Sequence, residues 1–526
     1  MSKSSDLIAV STFRSVEDPQ IAKGILDEAS APFVQVSTQH GRPVVAGLQT
    51  AFFGHRMPRP DLPTDDGVFA AWRWHDGTLE IESDRYGMRP LFYATRGSDI
   101  ICSPSITAIL SRGVQPVLDD AAIAVFLRLN FFIGDDTPFA AIRAVPPASR
   151  LTWSEGVLRF ESQRPANPRP ATIGRREAVN EFVDRFAAAV GRRLPSGEAV
   201  TLPITGGKDS RHILFALLRH GVRPSTCLTV RHYPPRCNDD ENLARLITRE
   251  LQLPLLVIDR ETRRLAAERR KNILTEFCSD EHVQFLPVRD HLIRHPAVVY
   301  DGIAGDTLTQ SWPMPAAMAD VFERQDVDGA IQQLLQYQVH GLEQALDNLL
   351  TAPARRRFSY ALATERLKTE VIRHMGGPNA GNAFVFWNRT RREVAWAPYG
   401  LLGFLPKVFA PFLDPDVFDF LMSLPVALVL DRQFQVEALS RAYPASVTVP
   451  FELQHDDAED APYARSVATD LARMVALKPS PFFRRRYVLP RAAAAWLKGR
   501  VAPIWFMPLI VWLQQISAVS DGRDPI

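Results

Sequence analysis

Short apolar runs broken by turn residues fill the first 160 or so positions. VFAAWRW (68–74), TLEIES (78–83) and PLFYAT (90–95) are separated by Asp-Gly, Asp-Arg-Tyr-Gly and Arg-Gly-Ser turns. That texture predicts strands joined by tight turns. Residues 161–177, ESQRPANPRPATIGRRE, hold three prolines and little apolar content. Proline removes ladder donors and such a stretch builds no core, so 161–175 reads as a linker between segments 1–160 and 176–526.

Beyond the linker the period changes. AVTLPI predicts a strand, TGGKDS a loop and RHILFALLRHG a helix. Ile213, Leu214, Leu217 and Leu218 share one helical face, and Gly221 is placed to end the helix. TCLTV and LLVID predict further strands. Between them DDENLARLITRELQL predicts a helix capped by Asp239 or Asp240. AVVYD (297–301) is another buried strand, and after about 315 the chain reads as mainly helical. Strands alternating with amphipathic helices imply parallel βαβ units, an α/β class. Pro203 is awkward late in a central strand, because it donates nothing to a ladder.

Composition narrows the function classes. Of 526 residues, 46% are hydrophobic and 23% charged, which is ordinary globular chemistry. Disorder, collagen-like repeats and coiled-coil rods are excluded. A net charge of +2 gives no electrostatic footprint for nucleic acid. Cys102, Cys227, Cys237 and Cys278 are too scattered for a disulfide framework, and none has zinc-ligand spacing. The first residues are polar and lack the apolar core of a secretory signal, so a reducing cytoplasm is expected. Residues 501–520 carry no charge and have the length of a membrane span. Pro503, Pro508 and the Gln514-Gln515 pair favour a terminal helix docked on the core; a membrane or partner contact is the alternative.

The segment ITGGKDSR (204–211) carries the chemistry. It leaves a strand and opens a helix. Gly206 and Gly207 let backbone N–H groups approach a ligand closely. Thr205 and Ser210 add hydroxyls, and the helix start adds free N–H donors and positive potential. Together they predict an anion cradle, with Asp209 as a natural magnesium ligand beside phosphates. Lys208 is an extra cation there, either on the phosphate or on an exposed face.

TGGKDS resembles the SGGxDS pyrophosphate loop of the ATP pyrophosphatases. More narrowly, the chain resembles class B asparagine synthetases and their relatives. DRYGMRPLFYA (84–94) is similar to the D-x-x-G-x-K/R-P-L-Y-Y turn of that family, and TPFAAIRAVPPASRLTW (137–153) to a later strand of its N-terminal domain. DGIAGDTL (301–308) stands where the family has S-G-E-G-A-D-E-L, and APFLDPDVFDFLMSLP (410–425) resembles the V-P-F-L-D segment. The resemblance implies an N-terminal amidotransferase-like, Ntn-type αββα domain over 1–160. It implies a C-terminal parallel-sheet ATP pyrophosphatase domain over 176–526, ending in a helical part. It also implies ATP and Mg2+ as cofactors, with Thr205, Gly206, Gly207, Asp209, Ser210 and Gly302 around the nucleotide. Asp209 and Asp306 match the family's metal positions, and TCLTV the strand beside adenine. A homodimer is compatible with the resemblance.

Three departures limit what carries over. The nucleophilic Cys that follows the initiator Met in glutamine-using members is Ser2 here. A hydroxyl without a dedicated base is a poor nucleophile, so glutamine hydrolysis is not expected. The family's Glu in G-E-G is Ile303, where β-lactam-forming relatives place a Tyr. The family's catalytic Lys has no counterpart in DRQFQVEALSRAYP (431–444); Arg432 and Lys478 are the substitutes to look for, and the catalytic base is unassigned. His212, His282 and His291 read as ordinary polar residues. The expected function is an ATP-dependent amide-forming ligase or cyclase. It acts on a carboxylate-bearing small molecule or peptide through an acyl-adenylate, as lasso peptide cyclases and β-lactam synthetases do. An ammonia-dependent asparagine synthetase and a non-catalytic nucleotide- or partner-binding homologue are the alternatives.

Overall fold

A computed structural model of the chain describes residues 31–524, apart from 41, 63, 163–167, 312–315, 338–341 and 452–459. Ser2 and positions 163–167 of the expected linker lie outside the described residues.

The turn-rich beginning forms two antiparallel sheets. One orders β2 (Arg42–Gly47), β1 (Val34–Gln39), β7 (Asp99–Ser103), β6 (Phe92–Arg96) and β8 (Ile142–Ala144). The other orders β10 (Val157–Ser162), β9 (Ser149–Ser154), β5 (Thr78–Ser83), β4 (Asp66–His75) and β3 (Thr50–Met57). Alternate residues turn inward, as the period-2 pattern requires. Val34, Val36 and Cys102 from one sheet meet Trp72, Ile81 and Trp153 from the other. Two features were not expected. β10 runs to Ser162, because Glu161 and Ser162 stay in register with Arg150 and Ser149. A buried helix, Asp120–Leu129, interrupts the strands; the Asp119 carboxylate caps it by accepting from the Ala122 amide at 3.0 Å.

The second part centres on a parallel sheet, ordered β13 (Leu255–Ile258), β12 (Thr226–Val230), β11 (Val200–Pro203), β14 (Val298–Tyr300) and β15 (Val408–Phe409). Pro203 closes β11, and the next amide, Ile204, donates to the Leu228 carbonyl at 2.7 Å. The proline therefore sits where the ladder ends. The helices Arg175–Gly191 and Lys208–Arg219 bury their apolar faces on this region, including Phe182, Phe186, Ile213, Leu214 and Leu217. The expected Asp cap of the next helix is corrected: Asp239–Glu250 starts after Asn238 with no side-chain cap.

Arginines tie the two parts together. Asp84 of DRYGMRP folds its own turn, accepting from the Tyr86 and Gly87 amides at 2.7 and 2.9 Å. The same segment sends Arg89 to the carbonyls of Tyr399 and Gly403 at 2.9 and 2.6 Å. Arg193 bridges Asp66 on β4 and Asp414 of APFLD, the latter at 2.6 Å, and all three are buried. Removing one partner of such a set leaves an uncompensated buried charge.

The apolar segment near the end forms the helix Met507–Ser520, packed into the core. Trp512 stacks on Phe126 with ring centroids 4.6 Å apart and donates to the Phe277 carbonyl at 2.9 Å. Gln515 is buried but satisfied, accepting from Asn272 at 2.8 Å. Trp512→Ala should cost about 3–5 kcal/mol, read as a lower urea midpoint. An unchanged midpoint would contradict this packing.

Candidate active site

Chain order in the parallel sheet reverses between β11 and β14. Loops at the carboxyl ends of strands on either side of such a reversal open onto one crevice. After β11 the chain runs through Thr205–Gly207 into the helix Lys208–Arg219, with Asp209 in its first turn. After β14 it runs through Gly302–Ala304 into the short helix Gly305–Gln310, with Asp306 in its first turn. Two aspartates nearly a hundred residues apart are thereby neighbours.

Glycines make the approach possible. A Cβ on Gly305 would lie 2.3 Å from Asp209 Oδ1, and one on Gly302 would lie 2.7 Å from Asp209 Cβ. A Cβ on Gly206 would lie 2.1 Å from Leu243 Cδ1. Gly302 therefore accommodates Asp209, and Gly206 accommodates the neighbouring helix.

Burial first, and then the charge of Asp306, push the Asp209 carboxyl up to about 8. Burial raises Asp306 as well. Asp301, just after β14, is pushed up to about 6 by burial, against the Ile303 amide that donates to it at 2.8 Å. Lys208 pulls Asp209 the other way and Arg389 does so for Asp306, but burial outweighs both. Half-buried neighbouring carboxylates whose proton affinity is raised are a donor set for a hard divalent cation.

The anion cradle differs from its expectation. The Gly206 amide donates to Asp240 Oδ1 at 3.2 Å, and the Gly207 amide to Thr205 Oγ1 at 3.0 Å. The Thr205 amide donates to Ser210 Oγ at 3.3 Å. Burial opposes the charge on Asp240, but His232 at 3.0 Å and Arg236 at 2.9 Å more than offset it and hold the carboxyl below its usual range. The loop thus binds an anion supplied by the chain itself, the side chain expected to cap a helix.

The stretch expected to lack the family's Lys supplies a different residue. Gln435 is fully buried; its Nε2 donates to Asp209 Oδ1 at 2.8 Å, and its Oε1 accepts from Thr309 at 2.9 Å and Gln310 at 3.1 Å. Sequence reasoning passed over it because glutamine carries no catalytic signal. Its one trace is position: Phe434, Gln435, Ala438 and Leu439 form the buried stripe of their helix. Lys208 Nζ donates to Gln310 Oε1 at 2.8 Å and to the Arg432 carbonyl at 3.0 Å, which ties the crevice mouth together. Lys478 belongs elsewhere, its carbonyl accepting from Gln514 on the terminal helix. Ile303 is buried and offers no proton chemistry. His212 packs among Phe182, Phe186 and Phe412, and burial pushes it down to about 3.

Residues 62–163 match a glutamine amidotransferase domain family. The chain is 24% identical over 148 residues to asparagine synthetase [glutamine-hydrolyzing] 1 of Bacillus subtilis (strain 168), covering 28% of this chain and 23% of that protein. It is 27% identical over 158 residues to asparagine synthetase [glutamine-hydrolyzing] 3 of the same organism, covering 29% and 25%. Part of the chain is thus similar to asparagine synthetases. It spans about a quarter of the length of these curated relatives. Among solved structures, a glutamine phosphoribosylpyrophosphate amidotransferase from B. subtilis is 8% identical, covering 46% of this chain and 78% of that one. Its TM-score of 0.18 carries no argument.

The glycine contacts are directly testable. Gly305→Ala must displace Asp209 or strain the short helix, costing about 1–3 kcal/mol as overpacking does. A urea midpoint equal to that of the unsubstituted chain would show that Asp209 does not pack against Gly305.

Proposed function

We propose that the chain is an ATP-dependent ligase or cyclase that joins a carboxylate to an amine without hydrolysing glutamine. The observation that carries this reading is the pairing of Asp209 and Asp306 at the sheet's reversal point. It is supported by the loop at the start of a twelve-residue helix and by the likeness to asparagine synthetases. Asp209 and Asp306 would hold Mg2+, and Thr205, Gly206, Gly207 and Ser210 would border the phosphates. ATP would supply the activated leaving group, so that a poor electrophile becomes an acyl-adenylate.

The chain's own residues have definite tasks in this reading. Asp240 and a phosphate compete for the Gly206 amide, so Asp240 moves aside when an anion enters. Gln435 gives up Asp209 when a cation needs that oxygen. Arg89, Arg193 and Asp414 fix the crevice walls against the N-terminal sheets.

A second reading has observations in its favour. Asp240 fills the cradle, Gln435 occupies Asp209, and Ile303 stands where the resemblance expects a proton-handling group. These suit a homologue that binds a nucleotide or a partner without catalysis. ATP–pyrophosphate exchange across a panel of carboxylates and peptides separates the two. Exchange with any of them supports the ligase. Nucleotide binding without exchange supports the non-catalytic reading.

Asp209→Asn and Asp306→Asn are near-isosteric, and each should lower exchange about 10²–10³-fold, as loss of one electrostatic stabiliser does. Exchange at the unsubstituted rate in both would remove the metal-binding role. The glutamine-free part of the reading rests on Ser2. Pure protein should release no glutamate from glutamine beyond the rate of a Ser2→Ala variant, and release that depends on Ser2 would overturn it.

A further inference from the structure

We propose that Glu281, His282 and Glu393 form a second metal site, for a divalent transition-metal ion of the zinc and manganese class. It does not rest on the nucleotide reading. One ligand atom from each residue lies within 4.8 Å of the other two. An ion about 2.1 Å from each donor closes such a span with small side-chain rotations.

Proximity alone does not make a site; the hydrogen bonds do. His282 Nε2 lies 2.9 Å from the Glu393 carbonyl oxygen. A carbonyl only accepts, so Nε2 carries the proton and Nδ1 presents a lone pair. Nδ1 has no partner, although His282 is only 5% exposed. A ring nitrogen donating to a backbone carbonyl while the other faces inward is how metal-binding histidines are oriented.

Glu393 is arranged in the same sense. Its Oε1 accepts from Ser279 Oγ at 2.6 Å, the Glu281 amide at 2.9 Å and the Asp280 amide at 3.1 Å. Its Oε2 has no partner, and the residue is 1% exposed. Three donors on one oxygen hold the carboxylate in place and leave the other oxygen bare. Two unpartnered acceptors, buried together, ask for a cation.

Glu281 completes the set from the solvent side. Its side chain is exposed, which gives an ion a way in, and Arg389 holds its Oε1 at 2.9 Å. Lys271 is the other nearby cation. It donates to the carbonyls of Ser279 and Asp280 at 2.8 and 3.1 Å and lies 3.4 Å from Glu268, so it braces the loop. His282 sits in the left-handed region at φ 76°, a conformation seldom adopted by non-glycine residues outside special sites. Glu393 lies in a segment, Phe386–Val394, wound in wide i→i+5 turns, which concentrate at functional sites. One imidazole and two carboxylates, with open positions left over, suit Zn2+, Mn2+ or Co2+ better than Ca2+.

The test uses the full chain, stripped with a chelator, desalted and titrated with Co2+ and Zn2+. Bound metal is counted after desalting, and Co2+ is also read by its visible absorption. One ion per chain should remain when Asp209 and Asp306 are both replaced by Asn. Glu393→Gln keeps an accepting oxygen for the three donors, and His282→Asn tolerates the left-handed backbone. With folding checked by circular dichroism, each should weaken Co2+ binding at least about 100-fold, the upper end of what loss of a supporting residue alone costs. The proposal is overturned if the unsubstituted chain retains no Co2+ or Zn2+. It is equally overturned if folded Glu393→Gln and His282→Asn variants bind as the unsubstituted chain does, or if the Asp209/Asp306 double variant loses the ion.

Discussion

Asp209 and Asp306 share one crevice in which burial outweighs the pull of Lys208 and Arg389, and much of the surrounding structure is arranged around two carboxylates held side by side. A single unit charge taken out of water is costly, and a second beside it adds to the cost. The fold accepts this because the parallel sheet reverses its order between β11 and β14, so both following loops open onto the same space. Gly302 and Gly305 remove the side chains that would keep Asp209 away. Gln435 donates a neutral hydrogen bond that eases the charge on Asp209. A pair of carboxylates held this way serves no evident packing purpose.

The walls of that crevice depend on the antiparallel sheets as well. The segment DRYGMRP forms a tight turn around Asp84 and sends Arg89 into the carbonyls at Tyr399 and Gly403. Arg192 and Arg193 grip Asp414 of APFLD, and Arg193 reaches Asp66 on β4. Two of the segments that carry the resemblance are thus joints between the two parts of the molecule. Loss of a glutamine-hydrolysing function would not free them to change.

Much of this was readable from sequence where one residue type had one local use. The strands around TGGKDS and DGIAGDTL followed from apolar runs ending at glycine-rich loops. Asp209 followed from its place in a glycine loop that opens a helix, and Asp306 from the resemblance of DGIAGDTL to the family's segment; the short helix that begins at Gly305 was not legible. What escaped depends on tertiary geometry. An acidic residue before an apolar stripe reads as a helix cap, yet Asp240 reaches across to the Gly206 amide. Gln435 was invisible because a buried glutamine is recognised by what it touches. The helix Asp120–Leu129 hid among strands because it is apolar on nearly every side, which erases the helical period. His282 read as an ordinary polar residue, since its partner Glu393 lies more than a hundred positions away.

The most direct test of the central claim is a crystal structure of the full chain grown with Mn2+ and a non-hydrolysable ATP analogue, with anomalous scattering used to locate the ion. The account predicts an anomalous peak at coordination distance from both Asp209 and Asp306. Gln435 should have turned off Asp209, and Asp240 should have left the Gly206 amide. A nucleotide bound elsewhere, or a crevice with Gln435 still on Asp209 and no ion between the two carboxylates, would contradict it.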